Sequence, residues 1–525
     1  MTFSNALPAG SSWEESDEQT PRPGLRASLR RAWPNVWPLL LVGLGVRLLF
    51  LLVGAKIYYA GRQGDIYNNG DSYSYILSFH NLLQYGRYSF DLLEPDAAVG
   101  RMPGYPFFYG LHYLVFDRFA LLAVAVTQVL LDTLGIWLLY VVTARLAPAR
   151  SWAPLVAALL LTFYPFSIVW VTIIGTETLG LFLVLLWWAT LLLARPRTRN
   201  WVLLGVLLAV ILYVREFLGV CLAITVLYLL RRAARAGFRV GAVRPLAFVV
   251  LGFLSLYVWW PMRNYATMGR FIPLKPAAAG YASLREDTQA ALAWILTWTN
   301  DVTMGIDEIL LAKQPAFPAH VISTPAEKQL IDSLVVLSRT CASSFHVRAT
   351  LYAAGAGAPD TSENGLEQYR QAQLANTLRH RNCNPQVAAG FQRLQASYEH
   401  RHPIRSRVEV PLQNLRKILF KSQFKTAAGT QMTMAQRISS LLFTWRSILL
   451  VIGLAGAWRY RKLPGLRPAL LFSAVIFGYM AIIFRSMEMR YLLQADVFML
   501  VPAALLLAGW IPRRWSRTAP PEPAD

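Results

Sequence analysis

Long runs of apolar residues dominate this sequence and limit what it can fold into. Several of them approach or exceed the roughly 18 residues that a membrane-spanning helix requires. Only 15% of the 525 residues are charged, whereas soluble domains are about one quarter charged. The sequence therefore predicts an all-α polytopic membrane protein, and it excludes a soluble enzyme, a disordered chain and a coiled coil. About ten transmembrane helices are predicted, at 37–55, 119–143, 152–174, 176–194, 201–214, 216–230, 246–260, 440–458, 468–484 and 491–510.

Basic residues alternate along the chain and predict its orientation. The linkers 145–151, 195–200, 231–245 and 459–467 carry fourteen Lys and Arg residues and no acid. By the positive-inside rule these linkers face the cytoplasm, and both termini do so if 201–230 is counted as two spans. The runs 201–214 and 216–230 are short, so a re-entrant hairpin is the alternative. The net charge of +22 then reflects topology and contact with membrane lipids, and no nucleic acid partner is needed.

Two long segments face outward in this topology. The first outer loop, 56–118, holds six acidic residues, and the segment 276–439 is long enough for a mostly helical outer domain. The stretches 325–353 and 365–399 of that domain are amphipathic, and the Gly/Ala/Pro-containing 354–364 separates them. The rest of the chain divides into a disordered cytoplasmic tail, a membrane-embedded core, the C-terminal transmembrane helices and a second tail, at 1–36, 37–275, 440–512 and 513–525.

Cysteine and histidine usage gives little support for a metal centre. Three cysteines are too few for a disulfide scaffold or a thiolate cluster. Cys341 and Cys383 both lie in the outer domain, where they form either a disulfide or two free thiols. Cys221 lies in an apolar run and is assigned to core packing. The seven histidines are scattered, so no cofactor is predicted and a divalent metal has no support.

Charged residues fall inside several predicted spans. Arg47, Asp132 and Asp496 each cost roughly 2.5–3.5 kcal/mol when placed centrally in a bilayer, so each is expected to face the bundle interior or water. Structural pairing between helices is the simplest account of them. A proton relay requires a longer series of such residues, so a proton-driven pump is not favoured.

Acids and arginines recur at the predicted outward ends of the helices. Asp71 begins an amphipathic segment, where it acts either as a helix N-cap or as a carboxylate that accepts a proton. Arg101 precedes the rigid Pro103-Gly104-Tyr105-Pro106 stretch, which either presents it to an anion or shapes a turn. Together these ends predict a polar cavity in which guanidinium groups bind phosphate. Its other candidate residues are Tyr105, Glu177, Arg215, Arg263, Arg270, Glu488 and Arg490.

A basic amphipathic stretch at 404–425 precedes the 440–458 span. It is predicted to lie in the outer membrane interface, where it either anchors the chain or contacts a lipid phosphate. No Walker loop and no glycine-rich dinucleotide fingerprint occurs, so nucleotide-driven transport has no support.

The order of these motifs resembles the polytopic C-type glycosyltransferases, in particular the bacterial relatives of protein O-mannosyltransferases and of the lipid A aminoarabinose transferase. The similar segments cover 37–275 and 440–510, whereas the outer domain has no counterpart. Many members carry two adjacent acids in the first loop, and Asp71 stands alone here. The motifs that carry the resemblance are Asp71-Ser72-Tyr73, Tyr85-Gly86-Arg87-Tyr88, Arg101-Met102-Pro103-Gly104-Tyr105-Pro106, Thr176-Glu177-Thr178-Leu179, Arg263-Asn264-Tyr265, Gly269-Arg270-Phe271-Ile272-Pro273 and Glu488-Met489-Arg490-Tyr491-Leu492.

The resemblance implies an inverting glycosyltransferase of the bacterial inner (plasma) membrane, with its active site facing outward. The donor would be a polyprenyl-phosphate sugar, and the acceptor a hydroxyl on a glycan, lipid or protein. Asp71 would be the general base, while Arg101, Arg263 and Arg490 would hold the donor phosphate. Glu177 and Glu488 would shape the sugar site or pair with those arginines.

Two other functions stay open from the sequence. One is a flippase or exporter of lipid-linked saccharides, although the internal repeats common in transporters are not found. The other is an O-antigen polymerase or ligase, which usually relies on outer-loop arginine and histidine rather than an acid after the first span.

Overall fold

The computed structural model confirms the all-α fold, because its described residues are helical with no β-strand among them. Cys341, most of the two predicted tails and the segment 354–364 lie outside the described residues, so the Cys341–Cys383 disulfide stays a prediction. The described residues are 24–59, 65–69, 71–92, 94–148, 151–276, 279, 285–302, 304–312, 315–340, 343, 345, 383–420, 434–485 and 488–510.

Nineteen α-helices occur among the described residues. In chain order they are α1 (Leu25–Leu49), α2 (Ala55–Tyr58), α3 (Ser72–Tyr85), α4 (Gly104–Phe116), α5 (Ala120–Leu146), α6 (Ala153–Thr162), α7 (Pro165–Ile168), α8 (Thr176–Leu193), α9 (Thr198–Val214), α10 (Val220–Arg235), α11 (Val240–Tyr257), α12 (Trp259–Met268), α13 (Glu286–Trp298), α14 (Pro325–Thr340), α15 (Asn384–Arg401), α16 (Val410–Phe420), α17 (Met434–Tyr460), α18 (Arg467–Tyr479) and α19 (Met489–Ala508).

Eight helical segments of the described chain are long and apolar enough to cross a membrane, which makes this a multi-pass membrane protein. The shorter apolar helices α6 and α9 overlap the predicted spans 152–174 and 201–214, and the predicted total of about ten stays a prediction. The eight segments are Leu25–Tyr58, Gly104–Leu146, Thr176–Leu193, Glu216–Arg235, Val240–Met268, Arg437–Tyr460, Arg467–Phe484 and Met489–Ala508.

The first span is longer than predicted. Its helix continues from α1 through a π-helical turn at Phe50–Gly54 into α2, so Leu25–Tyr58 is one segment of 34 residues. At 1.5 Å per residue it measures about 51 Å, which exceeds the roughly 30 Å of a bilayer core. The predicted span 37–55 is therefore only the central part of this helix.

Close helix contacts place the first loop beside the turn between α9 and α10. The predicted loop 56–118 ends early, because α4 begins at Gly104 and the chain reverses at Asp117, where φ is 45°. A Cβ atom on Gly104 would lie 2.6 Å from the carbonyl carbon of Tyr213, so only glycine allows this approach. As a result, Arg101 and Arg215 lie at the same end of the bundle.

Helices α9 and α10 occupy separate positions. Helix α9 packs along α11, where a Cβ on Gly205 would lie 2.1 Å from the carbonyl oxygen of Val249. Helix α10 also packs against α11, and in addition against α18. It belongs to Glu216–Arg235, which is long enough to span a membrane, whereas α9 is a shorter apolar helix, so the choice between two spans and a re-entrant hairpin stays a prediction.

The charged residues inside the spans are paired, as predicted. Arg47 Nε donates to Asp132 Oδ2 over 2.6 Å, and its other nitrogens donate to backbone carbonyls, including that of Thr162 at 3.2 Å. Asp496 accepts from Arg446 at 2.6 and 2.8 Å. Arg446 lies inside the predicted 440–458 span, where its charge gives the same signal as that of Arg47, but the sequence analysis did not single it out.

The arginine-rich linkers share one end of the bundle. The carbonyl of Gly465 accepts a hydrogen bond from Trp188 Nε1 over 3.0 Å, and Gly465 lies beside Leu146 and Leu192. Gly24, at the start of the first helix, lies beside Arg195. This grouping agrees with the predicted alternation of linkers, and the cytoplasmic location of this end stays a prediction.

The inserted helical domain (285–401) has a second hydrophobic core. Helices α13, α14 and α15 bury Trp294 and Phe391 together, and α14 and α15 cover the parts of the two predicted amphipathic stretches that the structure describes. Helix α13 joins this domain to the bundle at both ends. Arg285 pairs with Glu94 at 2.7 Å, and Arg485 donates to the carbonyl of Leu296 at 2.8 Å.

The basic amphipathic stretch is helical where it is described. Helix α16 follows a π-helical turn at Arg405–Glu409 and buries Ile418 in the core of the bundle. An apolar row stays exposed on the other side, at Ile404, Val408 and Leu412. An exposed apolar row beside basic residues is consistent with the predicted place in a membrane interface.

Candidate functional site

Asp71 is bridged by two arginines rather than used as a helix cap. It occupies the N-cap position of α3, but its side chain makes no capping hydrogen bond there. Instead Oδ1 accepts from Arg101 Nη2 over 2.8 Å, and Oδ2 accepts from Arg490 Nη1. The two arginines come from segments far apart in sequence, so only the tertiary fold brings this bridge together.

Arg101 is held in place by several groups besides Asp71. Its Nε donates to Ser74 Oγ over 2.7 Å and its Nη1 to the Tyr75 hydroxyl over 3.3 Å. The guanidinium carbon also lies 4.4 Å from the centre of the Tyr75 ring. The α3 helix therefore supplies both the carboxylate and the groups that fix its arginine partner.

Arg490 also has a second acidic partner. Its Nε donates to Glu488 Oε2 over 2.6 Å, as the sequence analysis predicted for that glutamate. Both residues precede or begin α19, and the side chains remain partly open, with Arg490 23% and Glu488 35% exposed. Asp71, Arg101, Glu488 and Arg490 form a group that we call the Asp71 cluster.

The two guanidinium groups control the protonation of Asp71. Burial favours the neutral carboxyl and acts to raise its pKa, but the charges of Arg101 and Arg490 outweigh burial. Hydrogen bonds from both arginines act in the same direction, so the pKa of Asp71 is held well below its usual range. The carboxylate is thus ionised at neutral pH and, while bridged, is a weak base.

Glu177 and Arg215 form a buried pair beside the Asp71 cluster. Arg215 Nη1 donates to Glu177 Oε1 over 3.1 Å, and both side chains are less than a tenth exposed. The Tyr491 ring connects the two groups, because Arg215 lies 4.5 Å and Arg490 5.1 Å from its centre. These six charged residues come from the first loop, the start of α8, the turn after α9 and the junction before α19.

Several polar atoms around Glu177 lack hydrogen-bond partners among the described residues. They are Glu177 Oε2, the hydroxyl oxygens of Thr176 and Thr178, and Gln494 Oε1. The Nε2 atom of Gln494 reaches the Glu177 carbonyl at 3.5 Å, so Gln494 lies beside Glu177. Buried polar groups are normally satisfied, so such a concentration is typical of a place where water or a polar ligand binds.

A lysine near this site was missed by the sequence analysis. Lys275 Nζ lies 3.4 Å from Glu216 Oε1, and Glu216 is the residue that follows Arg215 in the chain. The Lys275 side chain is 12% exposed. Burial lowers the pKa of Lys275, against the raising effect of Glu216. The flanking Pro273 and Pro276 were the available signal, because prolines on both sides fix the backbone of the residue between them.

Three predicted site residues have other surroundings. Tyr105 is buried and donates to Gln128 Oε1 over 2.9 Å. Arg263 donates to the backbone carbonyls of Ala98 at 2.6 Å and Tyr88 at 2.8 Å, so it supports the loop that carries Arg101. Arg270 is exposed and pairs with Asp96 at 2.9 Å. Their described partners are therefore protein groups outside the Asp71 cluster, and their predicted substrate-binding roles stay predictions.

The chemistry of the site suits an anion. Its three acids are paired with three arginines, so an anion that replaces one of the carboxylates meets guanidinium groups already in place. No group of three or more His, Cys, Asp or Glu side chains with the geometry to hold a metal occurs in the described part of the chain. Arginine forks are well matched to phosphate and carboxylate oxygens.

Comparison with protein-family models finds no match, and comparisons with characterised proteins and with solved structures find none either. The resemblance to C-type glycosyltransferases thus stays an expectation from the motifs.

Proposed function

We propose that this protein is a membrane-embedded inverting glycosyltransferase that uses a lipid-phosphate sugar as donor. The observation that carries the proposal is the bridge of one partly exposed carboxylate, Asp71, by Arg101 and Arg490. A transferase with a phosphate leaving group requires one base and a set of cations, and the Asp71 cluster contains both.

In the proposed reaction the two arginines hold the donor phosphate, and Asp71 takes the proton of an acceptor hydroxyl. The hydroxyl oxygen forms a bond to the anomeric carbon, while the bond from that carbon to the phosphate oxygen breaks. The phosphate leaves with the electron pair, and the arginines stabilise its added charge. A second carboxylic acid is therefore not required, unlike in glycosidases.

The unpartnered polar atoms near Glu177 support a place for the sugar. Sugar hydroxyls both donate and accept hydrogen bonds, so they are suitable partners for Glu177 Oε2 and Gln494 Oε1. Arg215 orients Glu177 through their 3.1 Å contact. This region adjoins the Asp71 cluster through Tyr491, as the proposed donor geometry requires.

The test uses the purified protein, labelled lipid-phosphate sugars and acceptors from bacterial envelopes. Asp71→Asn is expected to reduce transfer by about 10²–10⁴-fold, the usual contribution of a general base. Asp96→Asn is the matched control, since it changes an acid of the same loop whose partner is the exposed Arg270.

Two results would contradict the proposal. Wild-type turnover by Asp71→Asn would remove the assigned base. Movement of the lipid between leaflets without cleavage of the sugar–phosphate bond would favour a flippase or exporter instead.

A further inference from the structure

Asp71 pairs with two arginines, and each arginine has further partners that fix its position. Arg101 has Ser74 and Tyr75 as further partners, and Arg490 has Glu488 and the Tyr491 ring. Both guanidinium groups would therefore stay in position if the carboxylate moved away. The space between them is a preformed anion site, and Asp71 is its present occupant.

We infer that Asp71 occupies the place that the phosphate of an incoming lipid-linked donor takes between Arg101 and Arg490. Donor binding then displaces the carboxylate, which becomes free to act on the acceptor hydroxyl. This inference rests on the proposed function and adds an order to it, because the donor must bind before the base is released.

Charge balance supports the exchange. The Asp71 cluster and the Glu177–Arg215 pair together contain three acids and three arginines, so their formal charges cancel. A donor phosphodiester adds one negative charge, and two anions compete for the same two guanidinium groups. When the phosphate takes these groups, the charges that hold the pKa of Asp71 low act on the phosphate instead, so the carboxylate becomes a stronger base.

Accessibility also supports the exchange. The Asp71 side chain is 29% exposed and that of Arg490 is 23% exposed, so a ligand reaches both from the same opening. In contrast, the Arg101 side chain is only 10% exposed, and Ser74, to which it donates, is buried. An anion that replaces Asp71 thus meets one arginine at the opening and one deeper inside.

The experiment measures binding of farnesyl phosphate to the detergent-solubilised full-length protein, with farnesol as the uncharged control. If Asp71 holds the arginines nine-tenths of the time, its removal tightens phosphate binding about tenfold. Asp71→Asn and Asp71→Ser are both expected to show this gain, whereas Asp96→Asn and all farnesol measurements stay at the wild-type value. Inorganic phosphate is measured in parallel, and a gain confined to farnesyl phosphate identifies a lipid headgroup rather than free phosphate as the ligand.

Affinity in the Asp71 variants that equals or falls below that of the wild type would overturn the exchange. The transferase proposal fails separately, through absence of sugar transfer by the wild type. A gain in phosphate affinity without transfer would keep the exchange and reject the function. Transfer without any gain would keep the function and reject the exchange. The carboxylate infrared band of the wild type adds an independent readout, because it is expected to shift on farnesyl phosphate binding.

Discussion

The Arg446–Asp496 pair and the Asp71 bridge join the same residue types in different surroundings. Arg446 and Asp496 are each 1% exposed, and the Tyr164 hydroxyl and the Ile418 carbonyl complete their hydrogen bonds. Asp71 is 29% exposed and shares its two oxygens between two arginines. The first arrangement leaves no opening for a ligand, whereas the second presents charged groups that a ligand can reach. Exposure to solvent, rather than residue type, thus distinguishes these two sets of ion pairs.

The largest expected effect lies at the buried pair. Asp496→Ala leaves Arg446 as an uncompensated buried charge, so it is expected to lower the free energy of unfolding by about 3–5 kcal/mol. Titration with a denaturing detergent, followed by circular dichroism, measures this loss. The double variant Arg446→Met/Asp496→Leu removes both charges and is expected to recover most of the stability. Failure of this recovery would show that packing rather than charge holds this part of the bundle.

Glu177→Gln sharpens the comparison, because Glu177 is buried but adjoins the accessible site. The change leaves Arg215 with a neutral partner, so a loss of about 1–3 kcal/mol is expected in the same unfolding measurement. The transfer activity of the folded variant is also expected to fall. In variants of the buried Arg446–Asp496 pair, by contrast, only stability is expected to change. Wild-type transfer activity in the folded Glu177→Gln variant would show that Glu177 has a structural role only, like Asp496.

The pH dependence of stability tests the Asp71 bridge. The pKa of Asp71 is lowered in the folded protein, so its contribution is full above the unfolded value, about pH 4, and is lost as the pH falls towards the folded value. We expect the stability difference between wild type and Asp71→Asn, on the order of 1 kcal/mol for a partly screened pair, to shrink below about pH 4. Thermal unfolding at pH 3–7 measures this. Shrinkage that begins above pH 5 would mean that the arginines do not hold the carboxylate.

The smallest effect is expected at Arg270. Its pair with Asp96 is exposed on both sides, so Arg270→Ala is expected to change the free energy of unfolding by less than about 0.5 kcal/mol. Farnesyl phosphate affinity is expected to stay at the wild-type value. A clear loss of affinity would support the substrate-binding role that the sequence predicts for Arg270.

The sequence predicted the helical architecture and much of the candidate site, for physical reasons. Long apolar runs and arginine-rich linkers are local signals, so the spans and the shared end of Asp71, Arg101 and Arg490 could be predicted without coordinates. The pairing of Arg47 with Asp132 followed from the cost of charge in a bilayer.

Choices between partners could not be predicted, because they depend on helix packing. Asp71 fits a helix cap equally well in sequence, and only the approach of α19 gives it Arg490. Arg263 binds backbone carbonyls, which carry no sequence signal. Arg446 gives the same sequence signal as Arg47, a charge inside an apolar run, but the sequence alone does not show that Asp496 is its partner.

Helix α13 has a mechanical consequence for the reaction. Its N-terminal flank is tethered to Glu94, seven residues before Arg101, and its last turn is tethered to Arg485, which precedes Glu488. A tilt of this helix therefore pulls on the two chain segments that carry opposite sides of the anion site. In the proposed transferase, a bulky acceptor that binds the inserted helical domain would thereby change the distance between Arg101 and Arg490.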